Sequence, residues 1–281
     1  MRKAVSNSDF KEEYLPQNRR EVFFDCIKIR FSVFLRCGIM LALFTLPLLA
    51  SLFIGDMFSS SVVVMELNET EKASRIYSLQ LFFDVVNVFC FAIMAVGFAG
   101  VMKIIRRLAF AEPLFFGYDF KCGVKSNTKT FLPIFTLFGF FVLINNYVKN
   151  VLSVYSSVIC YLPWIITVII IIPIFLYVAA QSLVYENTFL RYFAISFSLY
   201  IRTAPQAVLA AICILSPISV FFISDLIVRY AIVLVVIVFL LPMLLLGHYL
   251  YSCSVFDKLI NSEKFPDLVG KGIFKLPNKK K

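Results

Sequence analysis

Four polar side chains within long apolar stretches of the chain are the strongest candidates for chemistry: Asp84, Asn87, Asn145 and Asn146. A carboxylate and carboxamides together can accept and donate hydrogen bonds, so that they can hold a small polar solute. Such groups are costly to place in apolar surroundings and therefore indicate either a binding site or hydrogen bonds that fix helix packing. Both interpretations stay open, and these residues are the predicted substrate-binding site.

Residues of the usual catalytic and metal-binding types are sparse. The single histidine, His248, excludes two-histidine metal sites and the HExxH zinc motif. The seven cysteines show no CxxC spacing, and the ten glycines show no P-loop or GxGxxG motif. We therefore expect no catalytic residues, no metal site, no cofactor and no enzymatic activity. His248 is expected to lie in an interfacial aromatic belt, with a proton relay as the alternative.

The composition identifies the elements that must position these groups. Of the 281 residues, 60% are apolar and 16% are charged, and the mean hydropathy is +0.88. Soluble domains average about 45–50% apolar and about 25% charged residues. Disordered chains are poor in aromatic residues, whereas this chain has 32 Phe and 13 Tyr. The sequence therefore predicts an all-α fold, a polytopic transmembrane helical bundle in the lipid bilayer.

Six segments are long and apolar enough to cross about 30 Å of hydrocarbon as helices. They cover residues 31–55, 79–102, 131–152, 158–185, 206–228 and 230–252. The third is the weakest, because Asn145, Asn146 and Lys149 follow its apolar run, and a re-entrant segment is the alternative there. Pro163 and Pro173 are expected to break the fourth.

Basic residues are distributed unevenly between the two sides of this arrangement. Of the 27 Lys and Arg residues, 22 fall on the side of the termini, which the positive-inside rule assigns to the cytoplasm. We expect a cell-membrane protein with a basic cytoplasmic tail at residues 1–30, a transmembrane domain at 31–252 and a second basic cytoplasmic tail at 253–281. Membrane insertion explains the net charge of +10, so no nucleic-acid partner is predicted. Asp225 and Arg229 are expected to pair locally at the outer end of the fifth span.

The connector between the second and third spans combines basic residues with an apolar repeat. Phe116, Phe120 and Val124 recur every four positions, which predicts a short interfacial helix, and the connector after the fourth span repeats the pattern. Basic groups at this depth favour anionic lipid headgroups, and a solvated face without a specific ligand is the alternative. The predicted partner- or lipid-contact residues are Arg106, Arg107, Lys121, Lys125, Asn127 and Lys129.

A longer pattern includes this connector. Residues 97–132 have the sequence GFAGVMKIIRRLAFAEPLFFGYDFKCGVKSNTKTFL, in which a span ends in small residues, a basic turn follows, and an aromatic and polar segment enters the next span. With the LFTLP motif at residues 43–47, this pattern resembles the YesL-like family of small multipass membrane proteins of Gram-positive bacteria. Thr128 departs from the family pattern, in which an aromatic residue follows the asparagine. The resemblance covers most of the chain, implies an association with carbohydrate-uptake systems, and implies no catalytic residues.

The sequence leaves two functions open. The first is an accessory or interaction component of a carbohydrate-uptake or envelope system, which contacts subunits of that system through the connector at residues 103–129 and the basic tails. The second is a small-solute transporter whose polar site, formed by the four residues named at the outset, is reached from outside. A cavity at mid-depth lined by those four residues favours transport, whereas a dry interface there argues against it.

Overall fold

The architecture is that of a computed structural model, which describes residues 16–152 and 159–274. Over these two ranges all regular elements are helical and none is a β-strand, which confirms the predicted all-α fold. Apolar segments in lipid satisfy their backbone hydrogen-bonding groups within the helix itself. The α-helices are α1 (Arg19–Ile29), α2 (Phe31–Val64), α3 (Glu69–Ala109), α4 (Phe116–Leu152), α5 (Leu162–Ile166), α6 (Ile172–Ser182), α7 (Phe189–Leu215), α8 (Leu226–Phe239), α9 (Leu241–Phe256) and α10 (Ser262–Lys264). Short 3₁₀ segments lie at Ile159–Tyr161, Ser216–Phe222 and Pro266–Leu268, and π segments lie at Thr167–Ile171 and Asp257–Asn261.

Several of these helices are long and apolar enough to cross a membrane. Five helices meet these criteria of length and hydropathy singly: α2, α3, α4, the helix at Ile159–Ser182 and the helix at Phe189–Phe222. The segments Leu226–Phe239 and Leu241–Lys264 meet the same criteria only together, with a 46° bend at their junction. Counting this bent pair as one span gives six, the predicted number. The chain is a multipass membrane protein.

The first of the two predicted connector helices is not a separate element. α4 begins at Phe116 and runs without interruption to Leu152, so the connector is its first part and the third predicted span is not re-entrant. The second connector begins α7, but Thr203 leaves helical geometry (φ −131°, ψ 21°) two residues before Pro205, so that a kink separates the connector helix from the span. The prediction of a short connector helix is therefore wrong for the first connector only. There the buried positions, such as Phe120, continue in helical phase to Phe131 in the span.

The fourth span is continuous despite its two prolines. Pro163 and Pro173 lie at the beginnings of α5 and α6, where a missing N–H costs least. Between them a π segment forms, in which the N–H of Ile172 donates to the carbonyl oxygen of Thr167. Such bulges insert into α-helices without ending them. The predicted break is therefore a local change of helical pitch.

Close helix packing in the bundle depends on small residues. Ala95 and Ala99 of α3 are fully buried. The tightest approach joins α2 to α8, where a Cβ atom at Gly38 would lie 1.8 Å from the carbonyl oxygen of Val238. Pro242 lies four residues after Val238 and has no N–H to donate to the Val238 carbonyl oxygen. The α8–α9 bend lies between these two residues, at Leu240. Small residues let helix backbones approach closely, which matters in lipid because burial there gains little hydrophobic energy.

The two described ends of the chain meet at one end of the bundle. The N–H of Phe274 donates to the carbonyl oxygen of Pro16 at 2.9 Å, and Arg19 pairs with Asp257 at 2.8 Å. The described parts of both predicted tails are therefore folded against the bundle, with α1 packed on α9. We name this the predicted inner end, and the end that holds residues 65–68 the predicted outer end. Residues 1–15, 153–158 and 275–281, which include parts of both predicted tails and the start of the fourth predicted span, lie outside the described residues.

Candidate functional site

A polar cavity lies between α2, α3 and α4 at the predicted outer end, and we name it the outer cavity. Its volume is about 250 Å³. Along α2 it extends from Ser51 to Ser59, a length of about 12 Å at 1.5 Å per residue. Ser51 and Asn87 form its floor. The polar residues that line it are Ser51, Asp56, Ser59, Gln80, Asp84, Asn87, Asn146, Lys149 and Asn150.

Two hydrogen bonds between α3 and α4 cross one wall of the outer cavity. Asn146 Nδ2 donates to Asp84 Oδ1 at 2.9 Å. One helical turn closer to the outer end, Asn150 Nδ2 donates to Gln80 Oε1 at 3.2 Å. Residues four apart share a helix face, so each helix presents a column of polar groups to the same space. These bonds fix the side chain of Asp84 in the wall.

Asn145, the neighbour of Asn146 in the chain, does not line the outer cavity. Its Nδ2 donates to Thr167 Oγ1 at 2.8 Å, and the side chain is buried against the π segment of the fourth span. Adjacent residues on an α-helix point about 100° apart, so the two asparagines face different neighbours. Three of the four predicted binding residues (Asp84, Asn87 and Asn146) therefore come together, and Asn145 fixes helix packing instead.

Two buried oxygen atoms at the floor have no hydrogen-bond partner among the described residues. They are Ser51 Oγ and Asn87 Oδ1, and their residues are only 7% and 4% exposed. A buried polar atom without a partner costs about 1–3 kcal/mol, so such atoms are uncommon in native structures. Together with Asp84, these oxygens make the floor rich in hydrogen-bond acceptors.

The two carboxylates that line the outer cavity have different surroundings. Asp56 pairs with Arg229 of α8 at 3.0 Å and accepts a hydrogen bond from the Tyr230 hydroxyl at 3.1 Å. Within the residues that the structure describes, Asp84 forms no ion pair, and its Oδ2 accepts no hydrogen bond. Lys149 is directed to the Tyr161 ring, 5.4 Å from its Nζ. Of these two carboxylates, Asp84 is therefore the one that forms no ion pair with a described basic side chain.

The predicted local pair of Asp225 and Arg229 is wrong. The Asp225 side chain caps α8 by accepting a hydrogen bond from the N–H of Val228 at 2.8 Å. Arg229 instead spans to Asp56 on α2, so that it joins two helices far apart in sequence. An aspartate immediately before a helix is a strong N-cap, which explains why Asp225 is engaged with its own backbone.

Sequence reasoning missed several residues of the outer cavity. Ser51, Ser59 and Gln80 were not expected there, although Ser51, Gly55 and Ser59 recur every four positions on α2, as Gln80 and Asp84 do on α3. This spacing places small and polar residues on one face of an otherwise apolar helix. A search for polar groups at helical spacing could have found them.

The predicted contact residues at the inner end separate into two groups. Three are engaged within the chain: Arg107 pairs with the buried Asp119 at 3.1 Å, Arg106 lies over the Phe110 ring, and the buried Asn127 donates to the carbonyl oxygen of Ala99 at 3.2 Å. The prediction that Asn127 is a contact residue is therefore wrong, because its side chain bonds α4 to α3. The other three lie four residues apart on one exposed face of α4: Lys121, Lys125 and Lys129.

His248 lies inside the bundle rather than at its surface. It is 8% exposed, its Nε2 lies 3.2 Å from Ser252 Oγ and 3.4 Å from the carbonyl oxygen of Leu176, and it borders an apolar cavity of about 180 Å³. The expectation of an aromatic-belt position is wrong, because α6 and α9 enclose the ring. Over the described ranges, no group of three or more His, Cys, Asp or Glu side chains is placed to hold a metal ion.

Taken together, the described lining of the outer cavity carries one carboxylate without an ion pair and several amides and hydroxyls, which are groups that can hydrogen-bond to a small molecule. Among these described lining residues, no nucleophile is paired with a base. Comparisons of the chain with protein-family models, with curated proteins and with solved structures find no match.

Proposed function

We propose that the protein is a small-solute transporter and that the outer cavity is its solute-binding site. The observation that supports this is the convergence of Asp84, Asn87 and Asn146 on one cavity. Polar and ionisable groups within membrane spans are expensive and characteristically serve substrate or ion pathways.

The lining favours a neutral solute rich in hydroxyl groups. The Asp84 carboxylate accepts hydrogen bonds, the amide of Asn146 both donates and accepts, and the Ser59 hydroxyl does either. A small number of such groups in a cavity fixes the orientation of a ligand and selects it. Monosaccharides and small polyols have this chemistry, and the YesL-like resemblance implies an association with carbohydrate-uptake systems.

We further propose that the chain lies in the cell membrane with both ends in the cytoplasm. Two observations support this orientation: the excess of Lys and Arg on the side of the termini, and the hydrogen bond between Pro16 and Phe274, which keeps the two described ends together. Ends on one side require an even number of crossings, as six spans provide. In this orientation the outer cavity faces the exterior.

Solute binding to the full chain, purified in detergent, tests the proposed function. A panel of neutral monosaccharides, polyols and amino acids is screened for a rise in the unfolding temperature, and the dissociation constant of each hit is measured by calorimetry. We expect Asp84→Asn to weaken the binding of a hit about tenfold, which corresponds to about 1.4 kcal/mol, because a hydrogen bond to a charged group is lost.

Asp225→Asn is the matched control, since it removes the charge of an outer-end aspartate that caps α8 and lies outside the cavity lining. It is expected to leave the dissociation constant within about twofold. Absence of binding across the whole panel, or equal affinity in the Asp84→Asn variant, would contradict the proposal.

An accessory role in a carbohydrate-uptake or envelope system is the second candidate, and the exposed face of Lys121, Lys125 and Lys129 favours it. Each lysine near the surface adds about 1 kcal/mol of attraction to anionic lipid, and the same face is available to acidic surfaces of another subunit. In this role the expected partner is a subunit of a carbohydrate-uptake system, which is the association that the YesL-like resemblance implies.

Co-purification tests this second role. A subunit of a carbohydrate-uptake complex is expected to purify with the wild-type chain. The amount of this subunit recovered is expected to fall at least fivefold when the three lysines are replaced by glutamine. Lys72→Gln, at the predicted outer end, serves as the control and should retain the partner. Repeated purification of the wild-type chain without such a subunit would count against the accessory role.

A further inference from the structure

The floor of the outer cavity carries three oxygen donors from two helices. Ser51 Oγ comes from α2, and Asn87 Oδ1 and the Asp84 carboxylate come from consecutive turns of α3. All three are hard oxygen ligands, and within residues 16–152 and 159–274 two of them are buried without a hydrogen-bond partner. Their chemistry differs from that of the rim, where side chains such as Gln80 and Asn150 bond to one another.

The buried hydroxyl of Ser51 differs from several other hydroxyls on the same helices. Ser60 and Ser78 donate back to the carbonyl oxygens of residues four positions earlier, at 2.8 and 2.9 Å, and Thr45 does the same at 2.7 Å. This back-bonding is the usual way in which a helix satisfies a serine or threonine in an apolar segment. Ser51 is buried more deeply than Ser60 or Ser78 and still makes no such bond.

The charge of the floor is also unbalanced. Asp84 Oδ1 is held by Asn146, and across the described part of the chain no basic side chain pairs with this carboxylate. Asp84 is half-buried, and a charge that is partly removed from water is stabilised when it is paired or coordinates a cation. One carboxylate with two neutral oxygens supplies a single negative charge, which matches a monovalent cation. Divalent cations such as Ca²⁺ take six to eight oxygens and commonly several carboxylates.

We propose that Ser51, Asp84 and Asn87 bind a monovalent metal cation, Na⁺ or one of its class, at the floor of the outer cavity. A cation there gives Ser51 Oγ and Asn87 Oδ1 a partner and neutralises Asp84 below the space for solute. Cation binding at this site does not depend on the proposed transport function. A role of the cation as a coupling ion does rest on that function, since coupling ions in transporters lie beside the substrate within the membrane.

The test measures cation binding to the full chain in detergent without solute. The unfolding temperature is recorded in NaCl and in choline chloride at equal ionic strength, because a cation that binds only the folded state raises it by mass action. We expect Na⁺ to raise the wild-type value by about 3 °C or more. Ser51→Ala should lose at least two thirds of this rise while remaining as stable as the wild type in choline chloride, because it removes an unpaired hydroxyl.

Ser60→Ala is the matched control, since it removes a hydroxyl from the same helix that is already bonded to the Asp56 carbonyl. It should keep the full Na⁺ response. Asn87→Leu provides a second variant of similar size, which should also abolish the response. An equal rise in Na⁺ and choline, or an unchanged Na⁺ response in both Ser51→Ala and Asn87→Leu, would overturn the inference. Solute binding that persists in choline chloride would then leave the proposed function standing.

Discussion

Replacing Gly38 by alanine is expected to separate α2 from α8 and to destabilise the folded protein by at least about 3 kcal/mol, beyond the usual range for overpacking. The added Cβ atom would lie 1.8 Å from the carbonyl oxygen of Val238 and 2.7 Å from its Cα. These are backbone atoms, so no change of side-chain rotamer can relieve the collision. The helices must move apart, and with them the Arg229–Asp56 pair at the outer end.

Gly117→Ala provides the control for this prediction. A Cβ atom at Gly117 meets no other atom within 4 Å, and alanine in a helix is favoured over glycine by about 0.5–1 kcal/mol. We expect Gly38→Ala to lower the unfolding temperature in detergent strongly and to broaden the size-exclusion peak, and Gly117→Ala to leave both unchanged or improved. Equal unfolding temperatures for the two variants would show that α2 and α8 do not pack as closely as described.

The fold class and the spans could be predicted because they depend on the length of apolar segments, which the sequence displays directly. The start of α4 could not, because the apolar repeat of its connector is in phase with the span that follows. In α7, by contrast, the kink at Thr203 lies two residues before Pro205, a signal that the sequence does display. The partner of Arg229 depends on which helices become neighbours. Its pair with Asp56 joins positions 173 residues apart, whereas local spacing suggested Asp225.

The candidate site could be predicted in part, for a similar reason. Asp84 and Asn146 stand out because each is polar in an apolar segment, and the structure brings them into one wall. Asn145 stands out equally in the sequence, but its side chain points away from the cavity to Thr167. The sequence could not show this difference, because it does not give the rotation of α4 about its axis. Ser51 carries no such signal, because most serines in apolar helices bond to their own backbone and need no cavity.

Accessibility from outside the cell is expected to differ sharply between the two adjacent asparagines of α4. Asn146 lines the outer cavity and is half-buried, whereas Asn145 is 3% exposed and bonded to Thr167. A cysteine reacts with a charged thiol reagent only where water and the reagent can reach its thiolate. Asn146→Cys should therefore be labelled by a membrane-impermeant maleimide on intact cells at least tenfold more than Asn145→Cys. Both variants are made together with Cys213→Ser, because Cys213 is exposed.

The central claim is that the polar site of the outer cavity opens to the exterior, and the most direct test of it is this labelling experiment with one further position. Lys125→Cys, on the exposed face of α4 at the predicted inner end, should be labelled only after the cells are permeabilised. The predicted result is labelling of Asn146→Cys on intact cells, of Lys125→Cys after permeabilisation, and of Asn145→Cys only after denaturation. Equal labelling of Asn145→Cys and Asn146→Cys, or labelling of Lys125→Cys on intact cells, would contradict the account.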